Sequence, residues 1–359
     1  MNIIKRIPWK FIGWVYSDRD KIPWKIAKKI YSAMKKCMTP FNYISKYDLI
    51  EKEHIKHFGR DFPEKTFYVI RISPGAGLLS DFHGVVNHTY YAISKGYIPI
   101  VNMESYWNFR SEKKPIEIEG KITSNSWEYF FEQPCGYSVK DIKKAKNVIL
   151  GDMRNQLINK NYDDNIASHP HFYEDKNAIS RYYEFVSQYC RMNHNTMQYI
   201  FKTKEILFNG KNNVLGISYR VAGLKNAKSH SIGASMDEMI KKVSEIFYKE
   251  NFNYIFLSTD EQEIVDEIYK VFPGEKIINP IRRRFKTDNH EEYVKEYTEL
   301  YFKKESIFEY ELNYLTEIYL LSQCDGIVAS SQCNGLIFAI GFNNNKYRHS
   351  YIFNLGVYS

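Results

Sequence analysis

Four short apolar runs alternate with amphipathic stretches between residues 213 and 330, and this alternation constrains the fold more than any other feature of the sequence. The runs are VLGISYR (214–220), YIFLS (254–258), GEKII (274–278) and GIVAS (326–330), and each is typical of a buried strand. Strands separated by helices pair in parallel, because each crossover returns the chain to the same end of the sheet. The sequence therefore predicts an α/β fold with a doubly wound, Rossmann-like sheet in this half.

Helix signals between the runs support this prediction. Ser235 and Glu238 have the spacing of a capping box, in which two side chains satisfy backbone N–H groups at a helix start. Thr259–Gln262 predicts a second capping box, which opens a helix running to about residue 271. Residues 309–323 have the apolar periodicity of an amphipathic helix.

A second unit of the same kind lies earlier in the chain. FYVIRI (67–72) predicts a buried strand, residues 73–80 a glycine-rich turn, residues 80–95 a helix and residues 97–101 another strand. A strand–loop–helix–strand unit implies parallel pairing. The periodicity of residues 176–207 predicts one long helical stretch.

The length of 359 residues exceeds what one ordinary α/β core needs and suits two domains of about 150 residues each. We predict a basic helical extension at 1–60, an N-terminal α/β domain at 61–208 and a C-terminal α/β domain at 209–359. The two domains are expected to face one another across a cleft.

The cysteines and the apolar runs restrict the compartment. The five cysteines are odd in number and contain no Cys-x-x-Cys pair, which argues against a zinc site and against a disulfide framework. No run approaches the ~20 apolar residues that a membrane span needs. Residues 1–21 lack the apolar core and cleavage site of a signal peptide. We therefore predict no bound metal and a cytoplasmic location.

Positive charge is concentrated at the N-terminus. Residues 1–60 hold 14 lysines and arginines against 5 acids, although the whole chain has a net charge of only +8. The remainder is close to neutral, which argues against a nucleic-acid enzyme, because such enzymes have a basic working face. Residues 25–38 predict a lysine-rich amphipathic helix. This helix contacts an anionic membrane, as a peripheral protein on the inner face of the plasma membrane does, packs on the body, or does both.

Glycines separate the first predicted strand from its helix. Gly75 and Gly77 allow a ligand to approach the backbone next to a helix N-terminus, which favours anions, although a tight strand–helix turn also needs glycine. Asp81 and His83 follow in the helix, where either is a candidate general base for a hydroxyl group facing the cleft. The alternative for Asp81 is capping of the helix N-terminus.

Arg220 ends the run GISYR at the C-terminal end of a predicted parallel strand. Side chains at this place point into the ligand crevice of an open sheet. A guanidinium fork fits diphosphate oxygens and stabilises the charge of a leaving nucleoside diphosphate. His230 lies ten residues further on, before the capped helix, and is either a contact to phosphate or sugar or an ordinary loop residue.

Acids and hydroxyl groups follow two further strands. Asp260 and Glu261 lie at the end of one strand, where acids bind hydroxyl groups of a ribose or sugar, bind a base edge, or cap the next helix. Ser330 and Ser331 offer hydroxyl and amide groups to phosphate or ribose. The arginine run 282–284 either meets a phosphate or an acidic acceptor or forms a solvated loop.

In this order the segments resemble the fucosyltransferase superfamily, which includes the α1,6-fucosyltransferases, the nodulation fucosyltransferase and the protein O-fucosyltransferases. The C-terminal segments that carry the resemblance are GISYR, SHSIGASMDEMI, IFLSTDE, LTEIYLLSQCDGIVASSQCNG and SYIFNLGVYS. The N-terminal segments are GAGLLSDFHGVVNHTYYAISKGYIPIV and WEYFFEQPCGY. The resemblance covers roughly residues 67–359 and is closest to proteins from bacterial capsule and surface-polysaccharide gene clusters.

The resemblance implies a GT-B fold, with 61–208 as the acceptor side and 209–359 as the donor side. It implies inverting, metal-independent transfer from GDP-fucose, a substrate rather than a cofactor, to a surface polysaccharide or lipid-linked glycan. The matching donor-site positions are Arg220 for the β-phosphate, Asp260 and Glu261 as the acid pair, Glu317 on the helix before LSxxD, and Ser330 and Ser331 on the phosphate side.

The sequence departs from the family pattern at several positions. Ser218 replaces the usual first histidine, Val221 stands where arginine or glycine is common, and Glu261 stands where aspartate is common. The segment 221–229 contains no acid to match the base of some relatives. These departures leave open another GDP- or UDP-sugar donor and a non-catalytic nucleotide- or glycan-binding protein on the same fold. A membrane-peripheral scaffold is a further alternative, which only the N-terminal extension supports.

Overall fold

The computed structural model describes residues 53–71, 77–104, 116–151, 166, 171–220, 230–285 and 307–359. Only residues 53–60 of the predicted basic extension lie within these ranges. The amphipathic helix predicted for 25–38 lies outside them, as do Gly75 and the segment 221–229.

The N-terminal half contains a four-stranded sheet and a separate hairpin. Its strands are β1 (His54–Lys56), β2 (Asp61–Ile70), β3 (Ile98–Val101), β4 (Ile116–Ile118), β5 (Lys121–Thr123) and β6 (Ala145–Leu150). The sheet has the order β1–β6–β2–β3, and β2 is parallel to both of its neighbours, which confirms the predicted pairing. The sequence-based prediction lacks β6, because Lys146 and Asn147 interrupt its apolar pattern.

The C-terminal half contains a five-stranded parallel sheet. Its strands are β7 (Val214–Tyr219), β8 (Tyr254–Thr259), β9 (Ile277–Ile278), β10 (Gly326–Ala329) and β11 (His349–Ile352). They lie in the order β11–β10–β7–β8–β9. The chain builds from β7 toward β9 and then crosses back to add β10 and β11. This confirms the doubly wound sheet and places its topological switch point between β7 and β10. The prediction for β9 was too long, because residues 274–276 form a 3-10 turn.

The helices pack between and around the sheets. They are α1 (Leu78–Ser94), α2 (Val139–Ile142), α3 (Lys176–Tyr189), α4 (His194–Phe208), α5 (Met236–Lys249), α6 (Gln262–Val271), α7 (Ile307–Leu321) and α8 (Asn334–Asn343). The stretch predicted for 176–207 is helical, but it is divided into the separate helices α3 and α4. Asp175 caps α3, and Asn193 caps α4 by accepting from the Thr196 N–H at 2.9 Å. Apolar periodicity does not detect such polar caps.

Of the two predicted capping boxes, the structure confirms one and contradicts the other. The box of Ser235 and Glu238 is confirmed, since each side chain accepts from the backbone N–H of the other, at 3.4 and 2.9 Å. The box at Thr259–Gln262 is wrong. Thr259 is the last residue of β8, and its hydroxyl accepts from the Glu261 N–H at 3.1 Å. Glu261 is the N-cap of α6 and makes no side-chain capping bond.

Apolar side chains cover both faces of the second sheet. Leu215 and Leu257 pack in one buried cluster with residues of α5 and α6, and Phe256 and Ile327 pack in another on the opposite face. The second cluster also contains Ile70 of the first sheet, so one apolar core connects the two sheets. The fold is α/β with parallel sheets, as predicted, whereas two domains facing a cleft remain a prediction. Within the described ranges, no helix is long and apolar enough to cross a bilayer.

Candidate functional site

The carboxyl ends of three parallel strands meet at one edge of the second sheet. Arg220 follows β7, Asp260 follows β8 and Ser330 follows β10. The backbone N–H of Arg220 donates to the Ser330 hydroxyl at 3.0 Å, and the Ser331 hydroxyl donates to the Arg220 carbonyl at 3.4 Å. These two bonds join β7 to β10 across the topological switch point, the place where open α/β sheets bind ligands.

The guanidinium group of Arg220 is held by a tyrosine of α7. Its Nη1 donates to the Tyr314 hydroxyl at 3.1 Å, and its Cζ lies 5.9 Å from the centre of the Tyr314 ring. Burial raises the pKa of Tyr314 above its ordinary value, and the neighbouring Arg220 opposes this rise. Tyr314 therefore stays protonated, so that its oxygen accepts from Arg220 as a neutral phenol.

One face of α7 is directed at this edge of the sheet. Tyr310, Tyr314 and Glu317 are spaced by four and three residues, which places them on the same side of a helix. Glu317 accepts from the Ser258 hydroxyl of β8 at 2.9 Å, and its second oxygen lies 2.9 Å from Nε of Arg282. Burial raises the pKa of Glu317, and Arg282 and Arg284 oppose this rise.

Arg282 belongs to the segment that follows β9. Its side chain is only 4% exposed, which corrects the alternative of a solvated loop for this arginine. The segment is fixed by Phe285, whose N–H donates to the Asp260 carbonyl at 2.7 Å and whose carbonyl accepts from the Gln262 N–H at 2.9 Å. Arg284 donates to the Asn279 side chain at 2.6 Å, and burial lowers the pKa of Arg284.

The acid pair lies at the end of β8. Asp260 is 5% exposed and Glu261 is 7% exposed. Burial raises the pKa of Tyr219, the last residue of β7, and the charge of Glu261 raises it further. Both acids are therefore part of the buried polar layer at the carboxyl edge.

The N-terminus of α8 borders the site on the side of β10. Tyr314 lies so close to Gly335 that a Cβ atom on this glycine would stand 2.9 Å from the Tyr314 hydroxyl. The hydroxyl that holds Arg220 therefore needs glycine at position 335. Backbone N–H groups of a first helical turn favour a negatively charged ligand.

The candidate bases lie on α1, which reaches the same region. Gly77 is the N-cap of α1, and Asp81 lies buried in its first turn. His83 Nδ1 is 3.2 Å from the side-chain oxygen of Asn334, the first residue of α8, and its Nε2 is 3.0 Å from the Tyr182 hydroxyl. Since an amide oxygen only accepts, Nδ1 donates to it, and in the neutral imidazole Nε2 then accepts from the Tyr182 hydroxyl.

His230 is exposed and lies before α5. Its carbonyl accepts from the Tyr358 N–H at 2.9 Å, and Ser231 pairs with Val357 in an isolated bridge. The Ala234 N–H donates to the Ser330 carbonyl at 2.9 Å. The C-terminal segment thus fixes the chain that leads from His230 toward the end of β10.

Comparison with solved structures returns several fucosyltransferases among the matches. NodZ, an alpha-1,6-fucosyltransferase soaked with GDP-fucose, is 15% identical, with 77% of this chain and 92% of that chain covered and a TM-score of 0.43. A variant of Arabidopsis thaliana FUT1 in complex with GDP is 12% identical over 88% and 75% of the two chains, with a TM-score of 0.43. POFUT1 in complex with GDP is 10% identical over 80% and 98%, with a TM-score of 0.42.

No protein-family model and no curated protein matches the sequence.

The structure brings Arg220, Ser330 and Ser331 into direct contact and places Asp260 and Glu261 at the adjacent strand end. Glu317 of α7 is buried, and its carboxylate accepts from the Ser258 hydroxyl and forms an ion pair with Arg282. Sequence reasoning did not assign Tyr310 and Tyr314, and it left Arg282 open between a contact to phosphate or an acidic acceptor and a solvated loop. Helical spacing with Glu317 was the available signal for the two tyrosines. Among the described side chains, no group of three or more His, Cys, Asp or Glu has the arrangement of a metal site.

Proposed function

We propose that the chain is a glycosyltransferase that binds a nucleoside-diphosphate sugar at the carboxyl edge of the second sheet. The observation that carries the proposal is the contact of Arg220 with Ser330 at the β7–β10 switch point. A guanidinium at this place suits the oxygens of a diphosphate, which it contacts through parallel N–H groups. GDP-fucose is the proposed donor, because the ordered sequence motifs resemble fucosyltransferases.

The proposed reaction is an inverting displacement. The acceptor hydroxyl oxygen forms a bond to the anomeric carbon while the bond from that carbon to the β-phosphate oxygen breaks. The nucleoside diphosphate leaves with additional negative charge, which Arg220 stabilises. Because this arginine supplies the positive charge, we propose that no metal ion is needed.

The acceptor hydroxyl must lose its proton to a general base. Asp81 and His83 of α1 remain the proposed residues for this role. The lone pair of His83 Nε2 already accepts from Tyr182, so His83 acts as a base only after this bond opens. The proposed acceptor is a surface-polysaccharide or lipid-linked glycan of a bacterium.

A panel of nucleotides tests the donor assignment. We expect GDP to raise the thermal unfolding midpoint more than UDP does, because the proposed donor is GDP-fucose. A ligand at 100 times its Kd adds about 2.7 kcal/mol to the stability of the folded state. The shift should persist in EDTA. GDP-fucose should then release GDP when a glycan acceptor is added.

The outcomes separate the alternatives. Stabilisation by UDP alone would replace the donor with a UDP-sugar. Stabilisation without release of GDP from any acceptor mixture would favour a non-catalytic binding protein. A chain that responds to no nucleoside diphosphate would contradict the proposal.

We also propose that the N-terminal extension holds the protein on the inner face of the plasma membrane. The support is the excess of lysines and arginines in residues 1–60 together with Trp9, Trp14 and Trp24. The full chain should sediment with vesicles that contain anionic lipid and not with neutral vesicles, and salt should weaken this binding. A chain that starts at Glu53, and therefore keeps β1, should not sediment with the anionic vesicles, and equal sedimentation of this chain would contradict the proposal.

A further inference from the structure

Arg282 is tied to the candidate site although it is remote from it in sequence. The segment around it is fixed to the end of β8, because the Phe285 backbone bonds to Asp260 and Gln262. The Arg282 side chain is buried against α7, where its Nε lies 2.9 Å from a carboxylate oxygen of Glu317. Burial of an arginine is costly unless it is paired, so the carboxylate determines where the guanidinium lies.

Glu317 is itself held by the sheet. Its side chain is 1% exposed, and its other oxygen accepts from the Ser258 hydroxyl at 2.9 Å. Ser258 is a residue of β8, so the ion pair is connected to the strand that ends at Asp260. The guanidinium of Arg282 is therefore fixed relative to the carboxyl edge.

The ring of Tyr314 is shared by two arginines. Its centre lies 5.6 Å from Cζ of Arg282 and 5.9 Å from Cζ of Arg220, within the range of cation–π attraction. Its hydroxyl accepts from Arg220 at 3.1 Å. Arg282 also lies 5.9 Å from the centre of the Tyr310 ring, one turn earlier on α7. The position of Tyr314 thus depends on Arg282, and the position of Arg220 depends on Tyr314.

We propose that Arg282 is a positioning residue for Arg220, and this inference rests on the proposed role of Arg220 in binding the donor diphosphate. Glu317 fixes Arg282, Arg282 fixes the ring of Tyr314, and the Tyr314 hydroxyl orients the Arg220 guanidinium toward the phosphates. Arg282 does not contact the donor, because it is buried and its charge is balanced by Glu317.

A double variant separates this role from a purely structural one. Arg282→Met and Glu317→Gln should each lower the thermal unfolding midpoint, because each leaves one buried charge without its partner. The double variant Arg282→Met/Glu317→Gln should recover the midpoint, because both charges are removed together. Its Kd for GDP, measured by calorimetry, should remain about tenfold above that of the wild type, because Tyr314 is no longer held in place.

Tyr314→Phe is a second test of the same role, since it removes only the oxygen that accepts from Arg220. It should weaken GDP binding to a similar extent, about tenfold, without lowering the unfolding midpoint as the charged single variants do. A double variant that recovers both the midpoint and the wild-type Kd would overturn the positioning role. Wild-type binding of GDP by Tyr314→Phe would also overturn it, whatever the stability of the double variant. If the wild type binds neither GDP nor pyrophosphate, the proposed function itself fails, which is a distinct result.

Discussion

Replacing Arg220 with methionine is expected to lower kcat/KM for sugar transfer by about a hundredfold to a thousandfold, the range found when a donor to developing negative charge is removed. Methionine keeps much of the length of arginine but cannot donate to phosphate oxygens or balance the charge of the leaving nucleoside diphosphate. The loss should appear in kcat as well as in donor binding, because the charge on the leaving group increases in the transition state.

The measurement is release of GDP from GDP-fucose at saturating acceptor, with donor concentration varied. Arg191→Met is the matched control, because Arg191 is 61% exposed and forms a surface ion pair with Glu132. The control should keep wild-type kinetics, since such pairs contribute little. Near-normal kcat in Arg220→Met, with the fold retained in circular dichroism, would contradict the phosphate assignment.

The part of the site at the strand ends could be predicted, because the position of each strand end depends on neighbouring residues in the sequence. A buried apolar run locates the end of a strand, and parallel pairing brings such ends to one edge. Arg220 and Ser330 were placed in this way, and the structure joins them by a hydrogen bond of 3.0 Å. The order of the strands, with β10 beside β7, could not be predicted from the pattern of apolar runs.

Arg282 shows why the remainder of the site could not be predicted. Its burial depends on Glu317, which lies 35 residues later on another element, and on the Phe285 bridge to the end of β8. A run of three arginines after a short strand is typical of a solvated loop. Neither periodicity nor spacing reports a tertiary ion pair, and the same limit concealed the contact of His83 with Asn334.

Glu317 is more deeply buried than its resemblance to a donor-site residue suggests. The resemblance places it among donor-site residues, whereas its side chain is 1% exposed and both of its oxygens are engaged by protein groups. We propose that Glu317 supports the site by holding Ser258 and Arg282 in place and does not contact the donor. Its removal should therefore affect the stability of the fold before it affects chemistry.

Glu317→Ala is expected to lower the free energy of unfolding by about 3–5 kcal/mol, the range for breaking a buried ion pair by removing one partner. The variant leaves Arg282 buried without its carboxylate and leaves the Ser258 hydroxyl without its acceptor. Urea unfolding of the wild type and the variant, followed by circular dichroism, measures the difference from the change in midpoint at constant slope.

Glu263→Ala provides the control, because Glu263 is an exposed acid in the first turn of α6 and its loss should change stability by no more than about 0.5 kcal/mol. A Glu317→Ala variant as stable as this control would mean that Arg282 is solvated or paired elsewhere in solution. The positioning of Tyr314 by Arg282 would then lose its physical basis, since the guanidinium would no longer be fixed beneath the ring. A large loss in Glu317→Ala together with a small one in Glu263→Ala instead assigns the cost to the buried pair, because both variants remove one carboxylate from a helix.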